Sequence, residues 1–346
     1  MLDDSAGPPA SDRAPATASQ ARRRSDELSA FIERAVEPHL VRRDADAEAR
    51  AEAQQHELSS MLRAVLHHPR VQALEAAWRT LDLLVRRLDT DGDLRLFLFD
   101  RPRDHVAAAI EALARQQDAT DEDRWALVVV LHAFDEGDVG AESLARVAMA
   151  AKALDAPCVA AAPASFSGAD ALSMLSDDEY TARPAPDIYS LIRQSADGRY
   201  LGLTYPRVLL RVPYGRENPC DTIEFEEMDD AERHDDYLWG SGAALVALVV
   251  GEAFMHSGWA IGGRISPDVG GLPYFTYRRG PETVAKSCAE GIMSERVARL
   301  LLARGLMPVA WIRDTDRVRI VDFRSVADPT TPLAASWAGP TARPRT

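Results

Sequence analysis

The chain has 346 residues, of which 54 are acidic and 40 are lysine or arginine, and its formal net charge is −14. A surface of this sign repels phosphate backbones, so nucleic-acid binding is disfavoured. Hydrophobic residues make up 46% of the sequence, enough for one large α/β domain or two smaller ones with packed cores.

The cysteines and the apolar runs indicate in which cellular compartment the protein folds and whether it binds zinc. Cys158, Cys220 and Cys288 are far apart and form no C-x-x-C pair, which disfavours a disulfide framework or a zinc site. Residues 1–25 contain no apolar signal-peptide core. The longest apolar run, residues 243–250, is well short of the roughly 20 residues of a membrane-spanning helix. The sequence therefore predicts a soluble, cytoplasmic protein without membrane insertion.

The first 92 residues predict a tail followed by a helical arm. Residues 1–25 are rich in alanine, proline and arginine and have almost nothing to bury, which predicts a disordered tail. Residues 26–92 are predicted to form an N-terminal helical arm and linker, because apolar residues recur at 3- and 4-residue spacings. The alanine- and charge-rich stretch 42–55 fits either a solvated helix or a flexible linker.

A second helix of the arm is predicted from residue 71 to about 88, after an interruption at Pro69. Its apolar stripe includes Leu74 and Trp78. The arm carries more apolar surface than a lone arm needs, so this stripe either faces a partner protein or packs on the chain's own sheet.

From residue 93 onward, the helical 3- and 4-residue spacing of apolar residues gives way to continuous apolar runs. Residues 94–99 predict a strand, and the continuous apolar run 125–131 predicts a strand buried on both faces of a parallel sheet. A helix over 141–154 and a strand over 157–162 follow. This alternation of strands and helices predicts an α/β fold, with a layered sheet and flanking helices.

The α/β core is assigned to residues 93–325, with a division into two subdomains near 165–200 as an alternative, and residues 326–346 are assigned to a loose tail. Ser294 and Gly305 are the expected caps of the last helix. The further predicted elements are extended pieces over 201–212, a buried helix over 237–255, strands over 259–265 and 272–277, a helix over 294–303, and a hairpin of 307–312 with 318–323.

Catalytic and cofactor-binding patterns are weak. The sequence contains neither the G-x-x-x-x-G-K-[ST] phosphate loop nor the G-x-S-x-G nucleophile elbow. His67 and His68 are adjacent, so on a helix they point about 100° apart and make poor metal co-ligands. The loop from His132 to Asp138 follows a strand end, where α/β active sites lie, although its composition is also that of an ordinary turn. We expect no catalytic, cofactor or metal site, and an α/β enzyme using this loop is the enzymatic alternative.

Four sequence segments carry a family resemblance. They are HHPRVQALEAAWRTL at 67–81, RYLGLTYPRVLLRVPYG at 199–215, YLWG at 237–240, and GLP at 271–273, the last followed by SER at 294–296 and GLMP at 305–308. In this order they resemble the large sheath-subunit family of type VI secretion systems, called TssC or VipB. Thr80 stands where the family usually has glycine. The matches span about residues 60–312.

The resemblance marks a set of residues as structural. Two of them, Glu75 and Arg79, are four residues apart, which predicts an ion pair on one helix face that is partly buried. The full set is His68, Leu74, Glu75, Trp78, Arg79, Gly202, Pro206, Arg207, Pro213, Tyr214, Gly215, Trp239, Gly240, Gly271, Leu272 and Pro273.

The resemblance implies a structural subunit without a cofactor. Members of the family pair with a small sheath subunit, TssB, and the heterodimers stack into a helical tube around an inner tube protein. Contraction drives the inner tube outward, and an AAA+ ATPase recycles the contracted sheath. Sheath work of this kind is stored as two interface arrangements of different free energy.

The end of the sequence departs from the family pattern. Family members usually run well beyond the equivalent of Phe323, whereas here Pro332, Pro340 and Pro344 follow, and proline lacks the N–H that a strand ladder needs. The alternatives at this point are a divergent sheath subunit, a non-polymerising adaptor or cap, and one half of a split subunit.

Overall fold

The computed structural model describes residues 27–31, 34–35, 45–117, 124–177, 180–221, 223–259, 261 and 265–335. The chain divides into two units, Met1–Leu58 and Ser59–Thr346. In the first unit, residues 27–31 and 34–35 are helical, and helix α1 (Ala45–Leu66) begins there. Of the two alternatives for 42–55, the described part from residue 45 is therefore a solvated helix. The predicted tail over 1–25 lies outside the described residues.

The second unit is an α/β fold with a layered sheet and flanking helices, as predicted. After α1 its helices are α2 (Pro69–Arg87), α3 (Val106–Gln116), α4 (Gly137–Leu154), α5 (Asp187–Gln194), α6 (Ala243–Ser257) and α7 (Glu295–Ala303). Its strands are β1 (Val128–Val129), β2 (Cys158–Ala161), β3 (Leu201–Tyr205), β4 (Val208–Leu209), β5 (Trp239–Gly240), β6 (Asp268–Val269), β7 (Phe275–Arg279), β8 (Glu282–Lys286), β9 (Leu306–Ile312) and β10 (Arg317–Ile320).

Six of these strands form one mixed sheet, in the order β1-β2-β3-β9-β10-β6. The pairs β1–β2, β2–β3 and β3–β9 are parallel, whereas β10 is antiparallel to both β9 and β6. Parallel neighbours need crossover connections, and helices α4, α5 and α7 lie in these connections. The pairs β4–β5 and β7–β8 form separate two-stranded ribbons.

The sheet has a hydrophobic core on each face. Because side chains alternate along a strand, Leu201 and Leu203 pack with α3, α4, α5 and α7. Val159, Met307 and Val309 belong to the core on the other face, with α2 and α6. The result is a three-layer arrangement of helices, sheet and helices.

Helix α2 follows a two-residue break after α1. The Nδ1 atom of His68 accepts a hydrogen bond from the Arg70 N–H at 3.2 Å, which caps the helix. Pro69 is the first helical residue, a position where no backbone donor is needed. The predicted interruption at Pro69 is confirmed.

The apolar residues of α2 face two environments. Leu84 and Leu88, the latter just after the helix, are 7% and 4% exposed and belong to the core that contains α6. Leu74, Trp78 and Val85 are 61%, 59% and 53% exposed. One face of α2 therefore packs on the chain itself, and another stays exposed.

Of two strand predictions in the first half of the core, one is wrong and the other is confirmed only for a shorter strand. Residues 94–99 form no strand, because β-forming side chains make a strand only where a neighbour supplies ladder hydrogen bonds, and no such neighbour exists among the described residues. The run 125–131 contains only the two-residue strand β1. That strand lies at the sheet edge and is half-buried, with Val128 packed against the core on one face of the sheet and Val129 against the core on the other.

The helix predicted over 237–255 begins later, at Ala243. Trp239 and Gly240 instead pair with Leu209 and Val208 as strand β5. An added Cβ at Gly240 would come within 2.2 Å of the Leu210 side chain, so this close ribbon requires glycine there. The predicted strand 259–265 lies largely outside the described residues.

The last helix and hairpin are confirmed. Ser294 Oγ accepts a hydrogen bond from the Val297 N–H at 3.3 Å, and Gly305 has a left-handed φ of +76° after α7, as an N-cap and a C-terminal glycine require. Strands β9 and β10 form the predicted antiparallel hairpin.

The cysteines are not cross-linked. Cys158, Cys220 and Cys288 are free thiols, of which Cys158 and Cys288 are buried and Cys220 is exposed. Burial raises the pKa of the Cys158 thiol to about 12.

The predicted domain boundaries stay predictions, but residues 327–335 are not loose. Leu333 is 1% exposed, and the Ala334 N–H donates to the Arg199 carbonyl at 2.8 Å. Among the described residues, no helix combines the length and hydrophobicity that crossing a bilayer requires.

Candidate assembly site

Three of the family-like segments meet at one open cleft of about 380 Å³. Arg79 comes from α2, the residues from Leu210 to Val212 follow β4, and those from Gly271 to Pro273 precede β7. Glu217 and Asn218 complete the lining. Segments that are distant from one another in sequence therefore form one surface, which we call the motif cleft.

A largely buried ion-pair network adjoins the motif cleft, and its members Arg79 and Arg211 also line the cleft. Arg211 is 4% exposed and Glu227 1% exposed in their side chains, and Arg211 Nη2 donates to Glu227 Oε1 at 2.7 Å. Arg211 Nε donates to Glu75 Oε1 at 2.7 Å. One guanidinium thus joins helix α2 to the loop before β5.

Neighbouring groups satisfy the remaining atoms of this network. Arg79 Nε donates to Glu75 at 2.7 Å, and its Nη2 donates to the Tyr214 hydroxyl at 3.2 Å. The Tyr214 N–H donates to Glu227 at 2.7 Å. The predicted Glu75–Arg79 pair is confirmed, and it is one of several ion pairs in a larger network.

The charges of this network shift one another's pKa values. Burial alone would raise the pKa of Glu75, but hydrogen bonds from Arg211 and Arg79 outweigh it and hold the pKa below its ordinary value. Burial would lower the pKa of Arg211, but the Glu227 and Glu75 carboxylates raise it overall. Glu75 and Arg211 therefore stay charged near neutral pH, which keeps the ion pair between α2 and the core intact.

Further polar contacts hold the arm to the acidic loop over 213–236. Arg63 Nη2 donates to the Glu226 carbonyl at 2.8 Å, and Gln72 donates to the Asp235 carbonyl at 3.1 Å. The His67 ring lies between two carboxylates, 3.5 Å from Glu227 and 3.4 Å from Asp236. These contacts fix the helix break at 67–68 against the core.

The Pro206-Arg207 motif forms a second network. Arg207 Nε donates to Glu290 Oε2 at 2.7 Å, and His234 Nε2 lies 2.8 Å from Glu290 Oε1. The His234 ring stacks on Trp239, with centroids 4.9 Å apart. Glu290 therefore joins the turn after β3 to the segment before β5.

This second network predicts a pH dependence of stability. Burial would raise the pKa of Glu290, but hydrogen bonds from Arg207 and His234 lower it from 4.5 to about 2. The carboxylate contributes its full stabilisation above pH 4.5, and the contribution disappears as the pH falls toward 2. Because Arg207 is 48% exposed, solvent screening reduces the contribution to about 2 kcal/mol.

Glu290→Gln should therefore lower the free energy of unfolding at pH 7 and flatten its decrease between pH 4.5 and 2.5. Urea unfolding over this pH range measures both effects. Glu295→Gln is the matched control, because the Glu295 side chain is 84% exposed and such pairs contribute little. Equal pH profiles for wild type and Glu290→Gln would contradict the assignment.

The remaining motif residues have packing positions. Gly202 lies in β3, where an added Cβ would come within 2.7 Å of Met307 Cε. Pro213 is buried, and the Gly215 N–H donates to the Asn218 carbonyl at 3.0 Å. Gly271 has a φ of +71° in the turn before Leu272 and Pro273. The role of these residues in assembly stays a prediction.

The polar side chains of the 132–138 loop have separate structural partners. His132 Nε2 lies 2.9 Å from the Arg101 carbonyl, and Asp135 pairs with Arg103 at 2.8 Å. Glu136 accepts hydrogen bonds from the N–H groups of Ala164 and Ser165. In the part of the chain that the structure describes, no group of three His, Cys, Asp or Glu side chains is arranged to hold a metal ion.

Sequence reasoning did not assign Glu227, Asp236 or Glu290 to any site. They lie in acidic loops or next to a glycine, without a motif of their own. Arg211 stands within the 199–215 segment, but nothing in its spacing indicates that Glu75, 136 residues away, is its partner.

The contacts gathered at the motif cleft are ion pairs and packing contacts that connect helices and loops of an α/β fold. The VipB family model, described as the EvpB/VC_A0108 tail sheath N-terminal domain, matches residues 49–327. The chain belongs to this tail sheath family, which confirms the resemblance read from the sequence.

A curated relative supports the same family. The chain is 26% identical over 296 residues to the type VI secretion system sheath protein TssC1 of Pseudomonas aeruginosa, and the match covers 79% of this chain. The matched region spans 59% of the length of TssC1.

Proposed function

We propose that this chain is a cytoplasmic structural subunit of a type VI secretion contractile sheath. In this function it assembles with a small TssB-like subunit and with further copies of the heterodimer around an inner tube protein, and it powers effector delivery by contraction rather than by catalysis. An AAA+ ATPase would recycle the contracted state. Membership of the tail sheath family carries the proposal.

The surface of the arm supports assembly with a partner. Leu74, Trp78 and Val85 on α2 and Met61 and Val65 on α1 are all more than half exposed. Their spacings of four or seven residues within each helix place them on one face and form apolar stripes of the kind that receive an amphipathic helix. The ion-pair network around Arg211 holds α2 in place, so its stripe is presented on a fixed scaffold.

Co-expression with a small sheath subunit, followed by electron microscopy of the purified complex, tests the proposal. Tubes or rings that contain both chains are expected. A finite complex that never polymerises would indicate an adaptor or cap instead. A chain that stays monomeric beside the small subunit would contradict both.

Trp78→Ala should weaken binding of the small subunit at least tenfold, because a buried interface tryptophan commonly contributes 2 kcal/mol or more. The free chain should keep its stability, since this side chain is 59% exposed. Met149→Ala on α4, also 59% exposed, is the matched control. Isothermal titration at equal salt compares the three chains, and an unchanged Kd for Trp78→Ala would show that the stripe is not the interface.

A further inference from the structure

Lysine is almost absent from this chain. Of its 40 lysine and arginine residues only two, Lys152 and Lys286, are lysine. An arginine side chain stays charged at any physiological pH, whereas a lysine amine in a buried position loses its proton more readily and then acts as a nucleophile. Side-chain amine chemistry is therefore confined to two positions, and their surroundings differ.

Lys152 has the surroundings of an ordinary surface lysine. It lies in the last turn of α4, and its side chain is 47% exposed. Its Nζ donates to the Asp197 carboxylate at 2.6 Å. The ammonium of Lys152 is therefore paired with an acidic side chain and is in contact with water.

Lys286, the last residue of β8, lies on aromatic rings instead. Its Nζ is 4.0 Å from the ring centroid of Tyr237 and 5.9 Å from that of Trp239. The faces of such rings attract a cation but do not replace a carboxylate as its partner. Tyr237 and Trp239 form a small hydrophobic cluster with Leu209, and Phe275 of β7 packs against it. Lys286 therefore joins the β7–β8 ribbon to the β4–β5 ribbon and the segment before it.

The Lys286 ammonium has no ion pair of its own. Glu232 and Glu290 attract it from a distance, but Glu232 is paired with Arg279 and Glu290 with Arg207. Over the described ranges, no ion pair or hydrogen bond is found for the Lys286 amine. Burial lowers the pKa of Lys286 despite the attraction of the two carboxylates. The fraction of neutral, nucleophilic amine is therefore increased at this position.

We propose that Lys286 is a modification site, at which acylation by an acyl phosphate controls how firmly the β7–β8 ribbon is held to the segment before β5. The neutral amine attacks the carbonyl carbon of the donor and forms an amide C–N bond. The C–O bond to the phosphate group breaks, the phosphate leaves with the electron pair, and the proton released from the nitrogen goes to the leaving phosphate. Lys286 is only partly buried, so a compact donor of this class reaches its amine.

The product of this reaction is a neutral amide, so the cation–π contact with Tyr237 is lost. Acylation thus removes one connection between the β7–β8 ribbon and the rest of the chain, while the Arg279–Glu232 ion pair remains. The proposal does not depend on the sheath function.

Incubation of the full chain with acetyl phosphate near neutral pH tests the proposal. Cleavage after arginine places the two lysines on separate peptides, and tandem mass spectrometry follows the acetylation of each. Lys286 should be acetylated at least about fivefold faster than Lys152. In concentrated guanidinium chloride, where the folded surroundings are lost, the two rates should become equal. Equal rates in the folded chain, faster reaction at Lys152, or a preference for Lys286 that persists in guanidinium chloride would each overturn the proposal.

Two single-lysine variants provide a matched control. Lys152→Arg leaves Lys286 as the one side-chain amine, Lys286→Arg leaves Lys152, and both keep the net charge of the chain. Measurement of the intact mass should show faster acetyl uptake by Lys152→Arg than by Lys286→Arg. The opposite order would contradict the assignment to Lys286.

Lys286→Gln, which carries a neutral amide in place of the ammonium, tests the structural consequence. The backbone amides of β7 and β8 should exchange with solvent at least about threefold faster in Lys286→Gln than in Lys286→Arg, which keeps a cation over the ring. Hydrogen exchange of the two full-length variants measures the difference. Equal exchange would show that the charge does not hold the ribbon, and it would overturn the control of the ribbon by acylation.

Discussion

Arg211→Met should lower the free energy of unfolding by about 3–5 kcal/mol, the largest electrostatic effect expected in this chain. The substitution leaves the Glu227 carboxylate, 1% exposed, without its guanidinium partner and removes the bond to Glu75 on α2. Chemical denaturation with far-UV circular dichroism measures the loss.

Two control variants make this expectation specific. Arg79→Met should cost less than about 1 kcal/mol, because Arg79 shares Glu75 and its side chain is 37% exposed. The double variant Arg211→Met with Glu227→Leu should recover much of the lost stability, because it removes the stranded buried charge. A double variant as unstable as Arg211→Met would mean that packing, and not charge, decides the site.

Leu203→Ala should destabilise the chain by about 2–5 kcal/mol, because it leaves a cavity in the middle strand of the parallel part of the sheet. Leu203 is 0% exposed and belongs to the core with α4 and α5. Leu191→Ala on α5, at a side chain that is 65% exposed, should change stability by less than about 0.5 kcal/mol.

Thermal and urea unfolding of both leucine variants compare the two sites. If Leu203→Ala does not fold, Leu203→Val gives a smaller measurable loss. Equal losses at Leu203 and Leu191 would contradict the burial on which the expectation rests.

The local sequence pattern was sufficient to predict an element wherever the element's own residues determine it. The α2 break follows from the missing N–H of Pro69, and the end of α7 follows from the conformational freedom of Gly305. The α/β class follows from the alternation of apolar runs with amphipathic helices. Strand β2 falls within the strand predicted over 157–162, and β3 falls within the extended pieces predicted over 201–212, because both segments are apolar.

Pairing between distant segments could not be predicted in the same way. Residues 94–99 have the side chains of a strand, but whether they form one depends on a neighbouring main chain. The start of α6 was predicted too early because the apolar composition continues through Trp239, whose pairing with β4 has no local signal. The network around Arg211 is non-local in the same sense, since its carboxylates come from Glu75 and Glu227.

The burial of Cys158 and Cys288 makes it possible to label this chain with a fluorescent dye at a single cysteine. A maleimide dye needs an accessible thiolate, so under native conditions it should attach at Cys220 while the two interior thiols stay unmodified. Cys220 lies in the acidic loop that contacts the arm. A single reporter could therefore be installed there without engineering the sequence, and its fluorescence would follow the arm–loop junction as the chain meets other subunits.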